Sequence, residues 1–365
     1  MAVGKEKADK ITTLQATVII LSFMLAAGLL TLPRVTVEDS KTPDVWISTI
    51  LAGGIIFLSG WIIVKLSQRF PESTFYQYVQ RIIGRAAGKV IGVLLVIYFV
   101  CIAGFEIRSV EEVTAFFLLE GTPAWAISAP FMWISLYLCM GGIGTIGRIC
   151  QIIFPITASI FLLICLLGLN VFELNNLRPV LSEGVMPVFK ALKVTTLTFT
   201  GTECMLIILC RMEKPKRATR VIGLAIGIAV VFYITAVILC IGAFSVEGVM
   251  TRTWPFLDLA RSFEVEYLVF ERFESLLLSI WIMQIFSTFT IAFYCASLGI
   301  SQILNRSYSK TLFILLPVIY ILSQIPKNLN ELFSFGTVIG NMAIILYALL
   351  PLPLLLISHW RGVRS

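Results

Sequence analysis

The chemistry of this chain rests on its small residues and a few isolated charges. In SFMLAAGLLTLPR, residues 22–34, the small residues Ala26, Ala27 and Gly28 lie within a charge-free run of 23 residues, Ile11 to Pro33. In TLTFTGTEC, residues 196–204, Phe199, Thr200 and Gly201 precede Glu203, which has uncharged neighbours for six or more places on either side. Small residues let another group approach the backbone closely, and in an apolar medium every exposed peptide group must be satisfied. An interrupted helix presents free N–H groups on one half and free C=O groups on the other, with dipoles of matching sign. An amino-acid zwitterion has the complementary needs, a carboxylate for the N–H groups and an ammonium for the C=O groups. The competing account of the small residues is close helix packing. A carboxylate inside an apolar run requires a partner or a proton. Glu203 is therefore either a polar, proton-carrying switch or a neutral carboxyl that locks its own helix. Glu106 is a second switch candidate, although its place near Arg108, Glu111 and Arg272 also fits a structural charge cluster.

Elements that bring such residues together must lie in a bilayer. The 365 residues are 58% hydrophobic and 13% charged, against roughly 25% charged in soluble domains, and the mean hydropathy is +0.94. Charge-free runs predict ten spans near 11–33, 45–65, 88–110, 123–145, 149–171, 187–210, 220–244, 274–300, 310–325 and 334–358. One side of this arrangement holds 18 Lys and Arg with 4 acids, the other 10 with 16. The basic side faces the cytoplasm, so both termini are cytoplasmic. The first span is too long for a secretory signal core and is expected to be retained. The fold class is thus an all-α integral membrane protein, one domain over 1–365. Residues 70–85 carry apolar side chains at helical spacing beside three arginines and predict an amphipathic helix in the cytoplasmic interface. The outer loop 247–272 has room for a short surface helix.

Five spans precede the loop at 172–186 and five follow it. Since five is odd, the halves 11–171 and 187–358 are inverted relative to each other, a plan in which the first helix of each half is broken near the midplane and the breaks form the ligand site. The breaks fall at Ala26–Gly28 and at Phe199–Gly201. Tyr98, Cys101, Ile102 and Phe105 on the third span, and Gln284, Ser287, Thr288 and Thr290 on the eighth, are placed to line the same site. A hydroxyl bonding its own backbone four residues back is the competing role for each Ser and Thr.

No nucleophile–base arrangement, metal cluster or phosphate loop is visible, so no enzyme activity, cofactor or metal site is expected. The eight cysteines read as buried small hydrophobes, and the sole histidine, His359, as interfacial.

AGLLTLPR (27–34), GFEIRSVEEV (104–113), FELNNLRPVL (172–181), TFTGTE (198–203) and ERFESLLLSIW (271–281) resemble the spore germination permeases, the membrane-spanning B subunits of germinant receptors. That family is similar in fold to amino acid/polyamine/organocation transporters, with a LeuT-like five-plus-five arrangement. The resemblance implies a spore inner-membrane protein that senses a small nutrient, an amino acid such as L-alanine. It also implies two partners, a membrane-anchored A subunit and a C-subunit lipoprotein. Carried over by matching stretches, the nutrient pocket falls near Gly28, Ile102, Thr200 and Thr288. The alternatives are an ion-coupled amino-acid transporter and a ligand-gated ion or water channel. The fifth span lacks the lysine that can replace sodium in transporters of this fold.

Overall fold

The apolar runs wind into helices because a helix satisfies its own peptide groups where no water can. A computed structural model describes residues 10–26, 28–119, 121–262 and 273–363. In order the helices are α1 (Thr13–Met24), α2 (Gly28–Ser40), α3 (Val45–Gln68), α4 (Phe75–Ile83), α5 (Arg85–Phe117), α6 (Ala124–Met140), α7 (Ile143–Gly168) and α8 (Met186–Thr198). They continue with α9 (Met205–Ile208), α10 (Ala218–Met250), α11 (Pro255–Arg261), α12 (Phe273–Leu304), α13 (Tyr308–Ser323), α14 (Leu329–Ala343) and α15 (Pro351–Trp360). Among the described residues, six helical stretches are long and apolar enough to cross a membrane, and the pair α1–α2, bent by 48°, adds a seventh. The apolar helices α6 and α13 are shorter, and the stretch expected to form the sixth span is divided between α8 and α9. Large apolar side chains such as Leu58, Trp133, Ile314 and Ile321 face outward, while Ser, Thr and Tyr hydroxyls are buried. This is the pattern of a multi-pass membrane protein.

The most enclosed span is α12, which packs against α5, α7, α1 and α13. The segment leading into α1 is tied down by a short bridge, in which the Ile11 N–H donates to the Arg211 carbonyl at 2.8 Å and the Glu213 N–H to the Ile11 carbonyl at 3.0 Å. A π-helical turn, Ile344–Leu349, joins α14 to α15. There the Ser59 hydroxyl donates to the Tyr347 carbonyl at 2.6 Å.

Several boundaries differ from expectation for identifiable reasons. The first span does not stop at Pro33 but runs on to Ser40. Pro33 removes the N–H that would meet the Leu29 carbonyl, and the following turn is held by the Thr36 hydroxyl on the Leu32 carbonyl at 2.7 Å and by an Arg34–Glu38 ion pair at 2.7 Å. The helix expected to lie on lipid at 70–85 forms at Phe75–Ile83, but its apolar face turns into the protein. Phe75, Tyr76, Tyr78, Val79 and Ile82 are fully buried, and the Tyr76 hydroxyl donates to the Cys295 carbonyl at 3.0 Å. Helical spacing reveals an amphipathic face but not whether lipid or protein covers it. In the loop 247–272, α11 buries Phe256, Leu257 and Leu259, and residues 263–272, including Arg272, lie outside the described residues.

Candidate functional site

Two interruptions meet inside the bundle. The first separates α1, ending at Met24, from α2, beginning at Gly28. The second follows α8, where Phe199 to Gly201 turn away from the helix and a short 3-10 segment, Thr202–Cys204, leads into α9. Gly201 has φ +139°, in the region that favours glycine. The two glycines fit one another's break. A Cβ on Gly28 would lie 2.5 Å from Thr198 Cγ2 and 2.8 Å from the Tyr233 hydroxyl, and one on Gly201 would lie 3.0 Å from Met24 Cγ. Gly28 is thus required by protein packing.

Helix ends leave carbonyls without intrahelical partners, and the protein satisfies those around the first break itself. The Tyr233 hydroxyl donates to the Met24 carbonyl and, at 3.3 Å, to that of Thr198. Trp281 Nε1 donates to the Ala26 carbonyl at 3.1 Å. Thr288 Oγ1 and Gln284 Nε2 both donate to the Ser22 carbonyl, at 3.1 and 3.4 Å. Carbonyls of this kind are the ones expected to meet a ligand's ammonium, and here side chains of α10 and α12 donate to them instead.

Glu203 is fully buried one turn below. Its carboxylate accepts from the Tyr98 hydroxyl and, at 2.8 Å, from the Gly201 N–H. One carboxylate therefore closes the turn of its own break and ties it to α5.

Beside the breaks is a cavity of about 340 Å³. Its wall includes Ala26 and Gly28 at the first break, Ile102, Phe105 and Glu106 on α5, Thr198 and Thr200 at the second break, and Thr288 on α12. α14 completes it with Phe333, Gly336, Thr337 and Gly340, and Asp39 and Lys193 stand at its exposed rim. Among the residues expected from the sequence, Ala26, Gly28, Ile102, Phe105, Thr200, Thr288 and Glu106 therefore come together. Tyr98, Gly201 and Glu203 form the lock below instead, and Phe199 packs edge-on to Tyr233 with ring centres 4.7 Å apart. Ser287 donates to the Met283 carbonyl at 3.1 Å, four residues back. Ala27 lies outside the described residues.

The expected charge cluster forms without Glu106. Arg108 pairs with Glu111 at 3.6 Å and Glu112 at 2.5 Å, and Glu111 accepts from Gln324 Nε2 at 3.0 Å. Glu106 faces the cavity because Ile102 and Glu106 are four residues apart on α5 and share a face. Arg108, two further on, points elsewhere. Asp39, Lys193 and the whole α14 wall escaped the sequence reading. The signal for α14 was present, since Phe333, Gly336, Thr337 and Gly340 recur at helical spacing on one face. Among the described residues no three His, Cys, Asp or Glu side chains gather as a metal site.

A family model described as "Spore germination protein" matches residues 10–332. Spore germination protein YndE of Bacillus subtilis (strain 168) is 51% identical over 353 residues, covering 97% of each chain. Spore germination protein A2 of the same organism is 34% identical over 345 residues, covering 94% of each. Among solved structures, MhsT in complex with L-phenylalanine matches with a TM-score of 0.72 at 14% identity, covering 96% of this chain and 88% of that one. At that identity the likeness establishes the fold, that of LeuT-type transporters.

Proposed function

The chain belongs to the spore germination protein family, and on that premise we propose that it is the nutrient-sensing membrane subunit of a germinant receptor. Its ligand is a small amino acid such as L-alanine, bound in the cavity beside the two breaks. The observation that carries this reading is the convergence of both interruptions, Ile102, Thr200 and Thr288 on one cavity of about 340 Å³, within the roughly 300–1,000 Å³ of small-molecule sites. The first-turn N–H groups of α2 have no partner within their helix, and its dipole favours a carboxylate there. MhsT, of like fold, holds L-phenylalanine.

In this reading ten spans form two inverted halves: α1–α2, α3, α5, α6 and α7, then α8–α9, α10, α12, α13 and α14–α15. The first span of each half is the interrupted one. Both termini are cytoplasmic, and the cavity rim with Asp39 and Lys193 faces the outer side of the spore inner membrane. The A subunit and the C-subunit lipoprotein receive the signal. Ligand occupancy shifts a conformational equilibrium by its differential affinity for two states.

A symporter of the same fold would need a coupling site. α7 carries no lysine, which favours a sensor. In spores, Ile102→Phe is expected to fill the cavity and abolish the nutrient response at normal protein level, and Thr200→Leu to shift the nutrient dose–response. Unchanged dose–response curves for both variants would remove the cavity from sensing.

A further inference from the structure

Among the described residues, Glu106 is the one carboxylate that lies deep in the cavity wall. It is 4% exposed, and its Oε2 has no hydrogen-bond partner among the described residues. Its near neighbour in sequence, Arg108, is held by Glu111 and Glu112. The other charged groups on the wall, Asp39 and Lys193, sit at the exposed rim. A buried carboxylate without a partner is costly in a membrane and marks a functional site by default.

Several of the carbonyls around the two breaks are already engaged. Those of Ser22, Met24, Ala26 and Thr198 accept from Thr288, Gln284, Tyr233 and Trp281, and that of Thr196 accepts from the Tyr347 hydroxyl at 3.4 Å. A protonated amine entering the cavity therefore finds its strongest available acceptor in Glu106.

We propose that Glu106 is the counter-ion for a protonated amine on the nutrient, so that the cavity selects amine-bearing ligands over neutral polyols and over acids that lack an amine. This rests on the nutrient-binding reading of the cavity. A zwitterion would then bridge the site, its carboxylate toward the first turn of α2 at Gly28 and its ammonium on Glu106. The roles at the first break are thus divided: the backbone N–H groups meet the anion, and a side chain from a different helix meets the cation. A charge-assisted hydrogen bond in a water-poor cavity is stronger than a neutral one, so the amine becomes the feature most strongly recognised.

The test is equilibrium binding to the purified full chain in detergent, by thermal shift and titration calorimetry. The probes are the common L-amino acids, the 2-hydroxy acids with the same side chains (L-lactate against L-alanine), D-glucose and inosine. The wild-type chain is expected to bind one or more amino acids and to bind the matching hydroxy acid far more weakly. Glu106→Gln should weaken the amino acid by about 30-fold or more, since a buried charge loses its partner. Glu106→Asp, which keeps the charge on a shorter arm, should recover part of that loss. Unfolding of the ligand-free variants, followed alongside, separates lost binding from lost folding. Amino-acid binding unchanged by Glu106→Gln would overturn the role of Glu106 and leave the cavity as the nutrient site. Binding of glucose, inosine or hydroxy acids alone, sensitive to Ile102→Phe, would overturn amine selection and also leave the cavity standing. Binding of no probe would overturn both readings.

Discussion

At the level of single residues, the two glycines and the buried carboxylate define how the breaks are held. Gly28 and Gly201 were legible as interruptions because each stands among small or polar residues inside an otherwise bulky apolar run. Their mutual fit was not legible, since it depends on Thr198 and Met24, each remote in sequence from the glycine it crowds. Gly28→Ala is expected to overpack this contact and destabilise the protein by about 1–3 kcal/mol, measured as a lowered melting temperature in detergent. Adding Thr198→Ser, which removes the crowding methyl, should restore part of the loss. Glu203→Gln keeps one accepting oxygen and places an amide N–H₂ at the other, so only one of the Gly201 and Tyr98 donors still meets an acceptor there. Leaving such buried groups mismatched costs about 1–3 kcal/mol each. Thermal unfolding should therefore show Glu203→Gln less stable than wild type, and Tyr98→Phe intermediate between them.

At the level of elements, hydropathy and charge revealed the apolar helices, while their limits are set by contacts between distant segments. α2 outlasts Pro33 because Thr36 and the Arg34–Glu38 pair support the turn beyond it. The face of α4 expected to meet lipid packs on α5, α12 and α15 instead. Glu106 is instructive, because its alignment with Ile102 on a helix face could have been read from their spacing, whereas proximity in sequence suggested pairing with Arg108. The partnership of Tyr98 with Glu203, 105 positions apart, has no sequence signature. α12 acts as the support of the first break through Trp281, Gln284 and Thr288. Trp281→Phe keeps an aromatic ring and removes the donor to the Ala26 carbonyl. It should raise hydrogen exchange around the α1–α2 junction and lower stability by about 1–3 kcal/mol. Unaltered exchange there would show that α12 does not hold the break.

At the level of the whole molecule, an apolar exterior encloses a polar seam at which interrupted helices adjoin a cavity. Sensing and transport would use the same cavity and differ in the step after binding. Reconstituted liposomes containing this chain alone should bind amino acid without accumulating it against a gradient. Concentrative uptake would instead indicate a coupled symporter, and a nutrient-dependent conductance a channel. The central claim is that the cavity beside the two breaks is where the nutrient binds. It is tested most directly by equilibrium binding of radiolabelled amino acids to the purified wild-type chain and to Ile102→Phe, with both shown to be folded. The expected result is saturable binding to the wild type that the phenylalanine variant loses. Equal saturable binding by the two folded proteins would contradict it.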